Sequence, residues 1–575
     1  MLKLFRFLKP YRTPIFVIFV LVFFQSMSQL YLPTLMSDIV NKGIINGDVD
    51  YILRIGGLML GTALFGSICA IFSSLISSQV SMGFGRIIRS RLFKHITNFS
   101  LHEFDIIGTP SLVTRTTNDI TQVQNVSMMI TRMMIIAPIT CVGGIILAIS
   151  KDRDLSWIIV VVIPLLLIFI AIVVSKVYPL FKAMQKKIDK INQILRESLI
   201  GIRVIRAFNR TEREETRFEE ANEDLTDVSI RVNRIMAVMM PGIMLFMNLS
   251  SIAVIWFGAL RIEHGATNIG DMMAFLQYMM QIMFAIIMAS LMFIMLPRAQ
   301  ASAARINEAL DMETDILDPA VEKPLGEGKT SISFEKVYFF YKGAEKPALK
   351  DISFSASAGE VTAIIGSTGS GKSTLVNLLS RFYDPDEGSI RLNGTDIRDI
   401  KQSTLRGRIG FVPQKAVLFD GSIEDNIRYG KPDASDEEIL RAAETSQSME
   451  FINSMEEGFS SPIAQGGTNV SGGQKQRLSI ARALVGRPEV YIFDDSFSAL
   501  DFKTDSRLRS ALKKETSEST VLIVGQRVAT IKDADRIIVL EEGLIAGMGT
   551  HQELLGSCPV YQEIVYSQLS AEEAE

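Results

Sequence analysis

The sequence predicts a multi-domain membrane protein in which a six-helix transmembrane bundle precedes an α/β domain. Six long apolar segments occupy the first 300 of the 575 residues, and each is long enough to cross a bilayer core as a helix. Residues 311–329 are rich in Pro and Gly, which is typical of a linker. From residue 330 onward, short apolar runs alternate with helical patterns, which favours a parallel-rich sheet.

The composition agrees with a membrane protein and argues against a nucleic-acid partner. Hydrophobic residues make up 48% of the chain, whereas the net charge is only −4 and there is no basic tract interleaved with aromatic residues. The three cysteines, Cys69, Cys141 and Cys558, have no metal-ligand spacing. A basic N-terminus precedes the first apolar segment without a small-residue cleavage site, so we interpret that segment as an uncleaved transmembrane helix.

The spacing of the apolar segments predicts helices that project beyond the membrane on one side. The links between them alternate between short ones and two long, polar, helix-forming ones at 80–126 and 181–234. We expect a transmembrane domain over 1–310, a linker over 311–329 and a second domain over 330–575. The predicted spans are 15–37, 51–79, 127–150, 155–180, 235–260 and 271–296.

The second domain contains a phosphate-binding loop. Gly366–Ser373 fits the pattern G-x-x-x-x-G-K-[ST], follows the strand-like run 361–365 and precedes a helical pattern over 374–381. In such a loop, backbone N–H groups and the helix N-terminus surround phosphate, the lysine reaches the β- and γ-phosphates, and the serine hydroxyl binds Mg²⁺. We expect ATP or GTP to be bound by Gly366, Ser367, Thr368, Gly369, Ser370, Gly371, Lys372, Ser373 and Thr374.

A nucleotide-binding domain must meet its nucleotide in the cytosol, and this requirement predicts the orientation in the membrane. Because six spans return the chain to the side on which it starts, we expect both termini to be cytoplasmic. Lys and Arg are also more numerous in the N-terminal tail and long loops than in the short links, although much of this difference reflects loop length.

A second motif, Val470–Gln474 followed by a helical run to Arg482, resembles the signature sequence of ABC transporter ATPases. The resemblance implies that a second ABC subunit is needed, because in that family the signature contacts the γ-phosphate of ATP held by the other subunit. Small residues at a helix N-terminus suit an anion. The residues implied are Ser471, Gly472, Gly473 and Gln474.

The resemblance extends to other positions of the domain. Tyr341 matches the family's adenine-stacking aromatic residue, although by itself it would be read as a core or surface tyrosine. Gln414 matches a glutamine that contacts Mg²⁺, and Asp494, at the end of an apolar run, matches the aspartate that holds the metal through water. Residues 498–501 match the loop that crosses the dimer interface. The implied metal-binding residues are therefore Ser373, Gln414 and Asp494.

Two positions depart from the family pattern. Asp495 stands where the family usually has the glutamate that polarises the attacking water, and Gln526 replaces the switch histidine. The shorter carboxylate is withdrawn by about 1.5 Å from a contact that must be about 3 Å, and an amide carries no charge. We therefore expect the ATP bound to this chain's own motifs to be hydrolysed slowly. Gln465 and Gly466 also replace a common Glu–Arg pair.

An intact signature beside a weakened hydrolytic site predicts a heterodimer rather than a homodimer. In the heterodimer, the partner's ATP site would use Ser471–Gln474 of this chain, which itself builds a degenerate site. The whole chain resembles one half of a heterodimeric bacterial multidrug exporter, which implies a plasma-membrane location. Residues 104–119 and 207–220 resemble the coupling regions of exporters; without the resemblance they would be read as solvated helical charge runs.

The transported compound is less defined by the sequence. Thirteen of the 27 Met lie between Met236 and Met295 and suit either a cavity for varied lipophilic compounds or a lipid-facing surface. Arg54 and Arg132 lie near span ends or off-centre, so a lipid-phosphate or metal substrate gains no support. The alternatives to a drug or lipophile exporter are a lipid or lipopeptide flippase and an ATP-gated, channel-like regulatory protein. Soluble DNA-acting ATPases with the same signature are excluded by the six spans.

Overall fold

The computed structural model describes residues 1–326 and 328–568, apart from the side chains of residues 291–294. The chain divides into two compact units. The first contains Met1–Thr97 and Gly108–Met312, and the second contains Asn98–Ile107 and the chain from Glu313 onward. Each unit is described by itself below.

The N-terminal 312 residues are almost entirely helical. Their helices are α1 (Leu2–Phe5), α2 (Arg12–Asp38), α3 (Val49–Ile96), α4 (Leu101–Ile107), α5 (Thr109–Thr114), α6 (Ile120–Lys151), α7 (Trp157–Ile200), α8 (Ile202–Ala207), α9 (Thr211–Glu263) and α10 (Ile269–Asp311).

Six helical stretches of the described chain are long and apolar enough to cross a membrane, which confirms the predicted number of spans. The longest, Thr211–Glu263, has 53 residues. At 1.5 Å per residue it extends about 80 Å, more than twice the roughly 30 Å of a hydrocarbon core. The helices therefore extend well beyond the membrane, as the long polar segments predicted.

Within the first unit, α6 packs along α10 and also against α2 and α3, while α7 packs along α9. The core between these helices buries Phe275 and Tyr278 completely. The Tyr278 hydroxyl lies 2.6 Å from Thr34 Oγ1 and donates to the backbone oxygen of Leu30. Large apolar side chains cover the outer faces, as expected where the solvent is lipid.

The second unit contains strands and helices in alternation. Its elements after α4 are β1 (Ser331–Phe339), β2 (Leu349–Ser357), β3 (Val361–Gly366), α11 (Lys372–Leu379), β4 (Glu387–Leu392), β5 (Thr395–Asp396), α12 (Gln402–Gly407), β6 (Ile409–Val412), β7 (Gly421–Ser422), α13 (Ile423–Arg428), α14 (Asp436–Thr445), α15 (Met449–Ser454), β8 (Pro462–Ile463), α16 (Gly472–Leu484), β9 (Val490–Asp494), α17 (Phe502–Glu515), β10 (Thr520–Val524), α18 (Val528–Ile531), β11 (Arg536–Glu541), β12 (Leu544–Gly549), α19 (His551–Ser557) and α20 (Pro559–Gln568).

The main sheet has the strand order β12-β11-β3-β10-β9-β6 and is parallel except for the edge strand β12. This confirms the predicted α/β domain with a parallel-rich sheet. A separate antiparallel sheet, β2-β1-β4-β5, was not distinguished in the sequence. Because the carboxyl ends of parallel strands meet at one edge, the segments that follow β3, β9 and β10 lie together there.

Helix α4 belongs to the second unit, although residues 98–107 fall within the first predicted domain. The reason is a buried carboxylate. Glu103 is 1% exposed and accepts hydrogen bonds from the Asp315 N–H at 3.2 Å and from the Thr314 hydroxyl at 3.4 Å. Tyr383 adds a hydrogen bond from its hydroxyl to Asp105 Oδ2 at 3.2 Å.

Candidate nucleotide-binding site

The loop between β3 and α11 has a backbone that only glycine permits at its two ends. A Cβ atom on Gly366 would come within 2.1 Å of the backbone oxygen of Leu540 on the neighbouring strand. Gly371 has a φ of +102°, and a Cβ atom there would lie 2.9 Å from the backbone oxygen of Ala348. The loop is thus held close to the sheet, with the N-terminus of α11 directly behind it.

The lysine of the loop supplies a buried positive charge. Lys372 is 8% exposed, and its Nζ donates to the backbone oxygens of Gly366 at 2.9 Å and Ser367 at 2.7 Å. Burial lowers the pKa of this ammonium group. Within the described residues no carboxylate forms an ion pair with Lys372, so its charge is available to a phosphate. The loop therefore fits a nucleotide phosphate by both shape and charge.

Ser373 and Asp494 come together although 121 positions separate them. The Ser373 hydroxyl donates to Asp494 Oδ1 at 3.4 Å. Burial raises the pKa of the Asp494 carboxyl, and the Ser373 hydroxyl partly offsets this shift. Oxygen ligands of this kind suit Mg²⁺, which commonly binds one or two protein groups together with substrate phosphates. In the described part of the chain, no group of three His, Cys, Asp or Glu side chains could hold a metal by itself.

Gln414 and Asp495 form a second pair at the same sheet edge. The Gln414 Nε2 donates to Asp495 Oδ2 at 3.3 Å. Asp495 has a φ of +47°, and its N–H donates to the backbone oxygen of Val524 at the end of β10. Burial raises the pKa of the Asp495 carboxyl. Asp495 is therefore held in a constrained turn next to Asp494, one of the expected Mg²⁺-binding residues.

The side chain of Gln526 is exposed, and its backbone is held by a residue that no motif indicated. Gln568, the last residue of α20, donates through Nε2 to the Gln526 backbone oxygen at 2.8 Å. Its Oε1 accepts from the Val528 N–H at 2.9 Å. One amide group therefore bridges the loop that follows β10. No motif or spacing in the sequence around Gln568 indicates this contact.

Tyr341 lies beside the start of α11, where the phosphate-binding loop ends, and is 39% exposed. Its hydroxyl is 2.9 Å from Thr374 Oγ1, and its ring meets that of Tyr383 edge to face with centroids 5.7 Å apart. The partly exposed ring can stack on a nucleobase. Tyr383 was not singled out in the sequence; the Arg-Phe-Tyr run after α11 was the available signal.

The signature residues form a helix start rather than a part of this site. Ser471 caps α16 and forms a reciprocal capping box with Gln474, in which Ser471 N donates to Gln474 Oε1 at 2.8 Å. Ser471 and Gly472 are exposed. In residues 328–568 no hydrogen bond joins Ser471–Gln474 to the loop 366–373. Nearby, Gly466 has a φ of +69°, which the arginine common at that position would adopt only with strain.

Comparison with known proteins identifies the family of this chain. Residues 15–286 match the family model described as the ABC transporter transmembrane region, and residues 349–498 match the model described as ABC transporter. An uncharacterized ABC transporter ATP-binding protein of Mycobacterium tuberculosis (strain CDC 1551 / Oshkosh) is 41% identical over 98% of this chain and 97% of its own.

Two further similarities bear on function and fold. An ATP-dependent lipid A-core flippase of Chromobacterium violaceum is 30% identical over 94% of this chain and 92% of its own. A solved structure of a bacterial Atm1-family ABC exporter with ATP bound has a TM-score of 0.80 at 24% identity, covering 98% of this chain and 99% of the other, and so shares the fold. The chain belongs to the ABC transporter family, with its transmembrane and ATP-binding domains in one polypeptide that couples ATP to transport across a membrane.

Proposed function

We propose that this chain is one half of a heterodimeric exporter that moves drugs or other lipophilic compounds out of a bacterial cell. The observation that supports this best is the combination of a complete nucleotide-binding loop with Asp495 and Gln526. The first feature is needed to hold ATP and the second weakens its hydrolysis. A subunit that holds ATP but hydrolyses it slowly requires a partner with a competent site.

Binding of ATP is assigned to the loop and its neighbours. The backbone of residues 366–371 and the Lys372 ammonium group hold the phosphates, and Tyr341 stacks on the adenine. When bound, Mg²⁺ neutralises phosphate charge. Ser373, Asp494 and Gln414 are the residues that would hold it, because they place oxygen atoms at one sheet edge.

Hydrolysis at this site is limited by two side chains. Asp495 accepts from Gln414 at 3.3 Å, but its carboxylate is one methylene shorter than glutamate and reaches less far towards an attacking water. The amide of Gln526 can hydrogen-bond a phosphate oxygen but cannot carry a positive charge. The site therefore acts mainly as an ATP-dependent clamp.

The signature of this chain serves the partner. Ser471 and Gly472 are exposed and start a helix, so their hydroxyl and N–H groups are accessible to a phosphate presented by another subunit. Ser471–Gln474 would thus complete the partner's faster site. Closing of the two ATP-binding domains would then drive the membrane domain between its inward- and outward-facing states.

The rate of the isolated chain tests this assignment. The purified chain should bind ATP with Mg²⁺ but hydrolyse it far more slowly than about 10 s⁻¹, a common enzyme turnover number. Addition of a second half-transporter with glutamate and histidine at the two altered positions should restore rapid hydrolysis. Rapid, cooperative hydrolysis by this chain alone would contradict the heterodimer.

Lipid translocation is the second candidate function, because a relative that matches most of the chain is a lipid flippase. Proteoliposomes that contain this chain and its partner separate the possibilities. Uphill accumulation of a fluorescent drug supports the exporter, and ATP-dependent movement of a labelled lipid between leaflets supports the flippase. Passive, ATP-gated flux of solute would instead support the channel-like alternative.

The proposed orientation places both termini in the cytoplasm of the bacterium, and the membrane is the plasma membrane. Single cysteines test this when they are introduced into a chain whose three native cysteines are replaced by serine, at residue 46, between α2 and α3, and at residue 209, between α8 and α9. A membrane-impermeant thiol reagent should label the first in whole cells and the second only after lysis. The reverse pattern would contradict the orientation.

A further inference from the structure

Arg132 is the one charged side chain in a long apolar stretch of α6. Between Asp119 and Lys151 the sequence contains no other Asp, Glu, Lys, Arg or His. At 1.5 Å per residue, Arg132 lies about 20 Å along the helix from Asp119 and about 28 Å from Lys151. Within the predicted span 127–150, Arg132 is five residues, about 8 Å, from the end. A charged side chain within such a span is costly and is commonly a functional residue.

The neighbouring helix supplies a hydroxyl but no charge. Arg132 Nη1 donates to Ser74 Oγ on α3 at 3.1 Å. From residue 55 to residue 85, α3 contains no charged residue. Arg132 is thus held against a second apolar helix, at a point about 18 Å along α3 from Arg86. The sequence alone placed Arg132 off-centre and gave no reason to connect it with α3.

The guanidinium group has capacity for another partner. It carries five N–H donors, and among the described residues its side chain makes one hydrogen bond and no ion pair. The nearby hydroxyls are used elsewhere: Ser77 Oγ lies 2.8 Å from Thr131 Oγ1, and Ser73 donates to Gln25 Oε1 at 3.5 Å. They are also neutral and cannot compensate the charge.

The contact between Arg132 and Ser74 is partly exposed, so a ligand can reach it. Arg132 and Ser74 are half-buried, whereas Ser73, Ser77 and Thr131 beside them are buried. Large apolar side chains next to the pair are exposed, namely Phe72, Leu75, Met133 and Met134. A cation with a hydroxyl neighbour among exposed apolar side chains is complementary to a molecule with an anionic head and a hydrocarbon chain.

We propose that Arg132 and Ser74 bind the anionic head group, a carboxylate or a phosphate, of an amphiphile whose chain lies along α3 and α6. This inference rests on the proposed function and names the class of lipophilic compound that the membrane domain accepts. The guanidinium group pairs with the anion, and the Ser74 hydroxyl donates a further hydrogen bond. An arginine that only extends its side chain to the lipid interface would bind no such ligand selectively.

Photolabelling in nanodiscs of phosphatidylcholine tests the site without requiring transport. A fatty acid with a diazirine in its chain should label peptides of α3 and α6 in the wild-type chain. Oleate, a carboxylate, and lysophosphatidic acid, a phosphate, should each be tried as competitors beside the neutral oleyl alcohol. Suppression by either anion but not by the alcohol supports the site, and the more effective anion identifies the head group.

Three variants complete the test. R132Q should reduce labelling about tenfold, since it removes a charge-assisted interaction while keeping a donor for Ser74. R132K should retain part of the labelling. R54Q, which removes an exposed arginine near the N-terminus of α3, should label as the wild type does. Equal labelling of R132Q and wild type, or equal competition by oleyl alcohol, would overturn the proposal. A single symmetric peak of R132Q in size-exclusion chromatography, at the elution volume of the wild type, serves as the folding control.

Failure of this inference and failure of the proposed function give different results. If export is the wrong function, labelling remains dependent on Arg132 while ATP-driven movement of amphiphiles is absent. If the site is wrong, R132Q labels as the wild type does even where ATP-driven movement is present.

Discussion

The binding end and the hydrolytic end of the proposed ATP site differ in burial and in how their side chains are held. At the binding end, Gly366, Lys372 and Asp494 are buried, Lys372 donates to the backbone oxygen of Gly366, and Ser373 donates to Asp494. At the hydrolytic end, Asp495 is held in a constrained turn and the Gln526 side chain is exposed. In the proposed assignment, binding depends on the backbone shape of the loop, whereas hydrolysis depends on the length and charge of two side chains. One end can therefore weaken without the other.

Removal of the charge at the binding end should have the largest effect. K372A should weaken ATP binding by about 100-fold, because charge-assisted hydrogen bonds are worth about 1.5–3 kcal/mol and Lys372 is expected to reach more than one phosphate. Titration with a fluorescent ATP analogue measures the change. K475A is the matched control, because Lys475 donates to the Gly466 backbone oxygen outside the loop and should leave the affinity unchanged. Equal weakening by both variants would show that the loop is not the binding end.

Repair of the hydrolytic end should raise the rate without changing affinity. D495E combined with Q526H should increase ATP hydrolysis by the purified chain about 100-fold, the lower end of the range typical of a correctly placed general base. The exposed signature of a second copy would complete each site. D495N combined with Q526H lacks the base and should stay slow. A repaired variant no faster than this control would place the defect elsewhere than at Asp495.

Loss of the aromatic ring at Tyr341 should have an intermediate effect on binding. Y341A should weaken ATP binding about tenfold, because stacking of a base on an aromatic ring is worth about 1–3 kcal/mol. Y341F keeps the ring and loses only the contact with Thr374, so its affinity should stay close to that of the wild type. Tyr429 is 64% exposed elsewhere in the domain, and Y429A should not change the dissociation constant. A full loss of affinity in Y341F would shift the role from the ring to its hydroxyl.

The smallest effect is expected where Gln568 holds the loop after β10. In the D495E and Q526H background, Q568A should lower the turnover number about threefold, because a neutral hydrogen bond contributes about 0.5–1.5 kcal/mol. The dissociation constant for ATP should not change, since Gln568 contacts only the hydrolytic end. Q562A is the control, as Gln562 on the same helix donates to Leu555 instead. Equal effects of Q562A and Q568A would assign the loss to the helix itself.

Much of the fold could be predicted because its signals are local. The six spans follow from runs of apolar residues, and β3, β9, β10 and β11 follow from short apolar runs between helical patterns. The second, antiparallel sheet was missed because its strands give no signal that separates them from those of the main sheet. The assignment of α4 to the second unit depends on Glu103, whose partners at 314 and 315 lie more than 200 residues away.

The sequence by itself determined which chemistry this protein carries: the phosphate loop, the signature and the two altered positions are recognisable from residue identity and short spacing. The tertiary structure decided which distant residues meet. Ser373 with Asp494, Gln414 with Asp495, Gln568 with the loop after β10, and Arg132 with Ser74 are joined by strand order and helix packing. Periodicity and motifs report the face and type of a residue, but not its neighbour across an interface, because that neighbour depends on how whole elements pack.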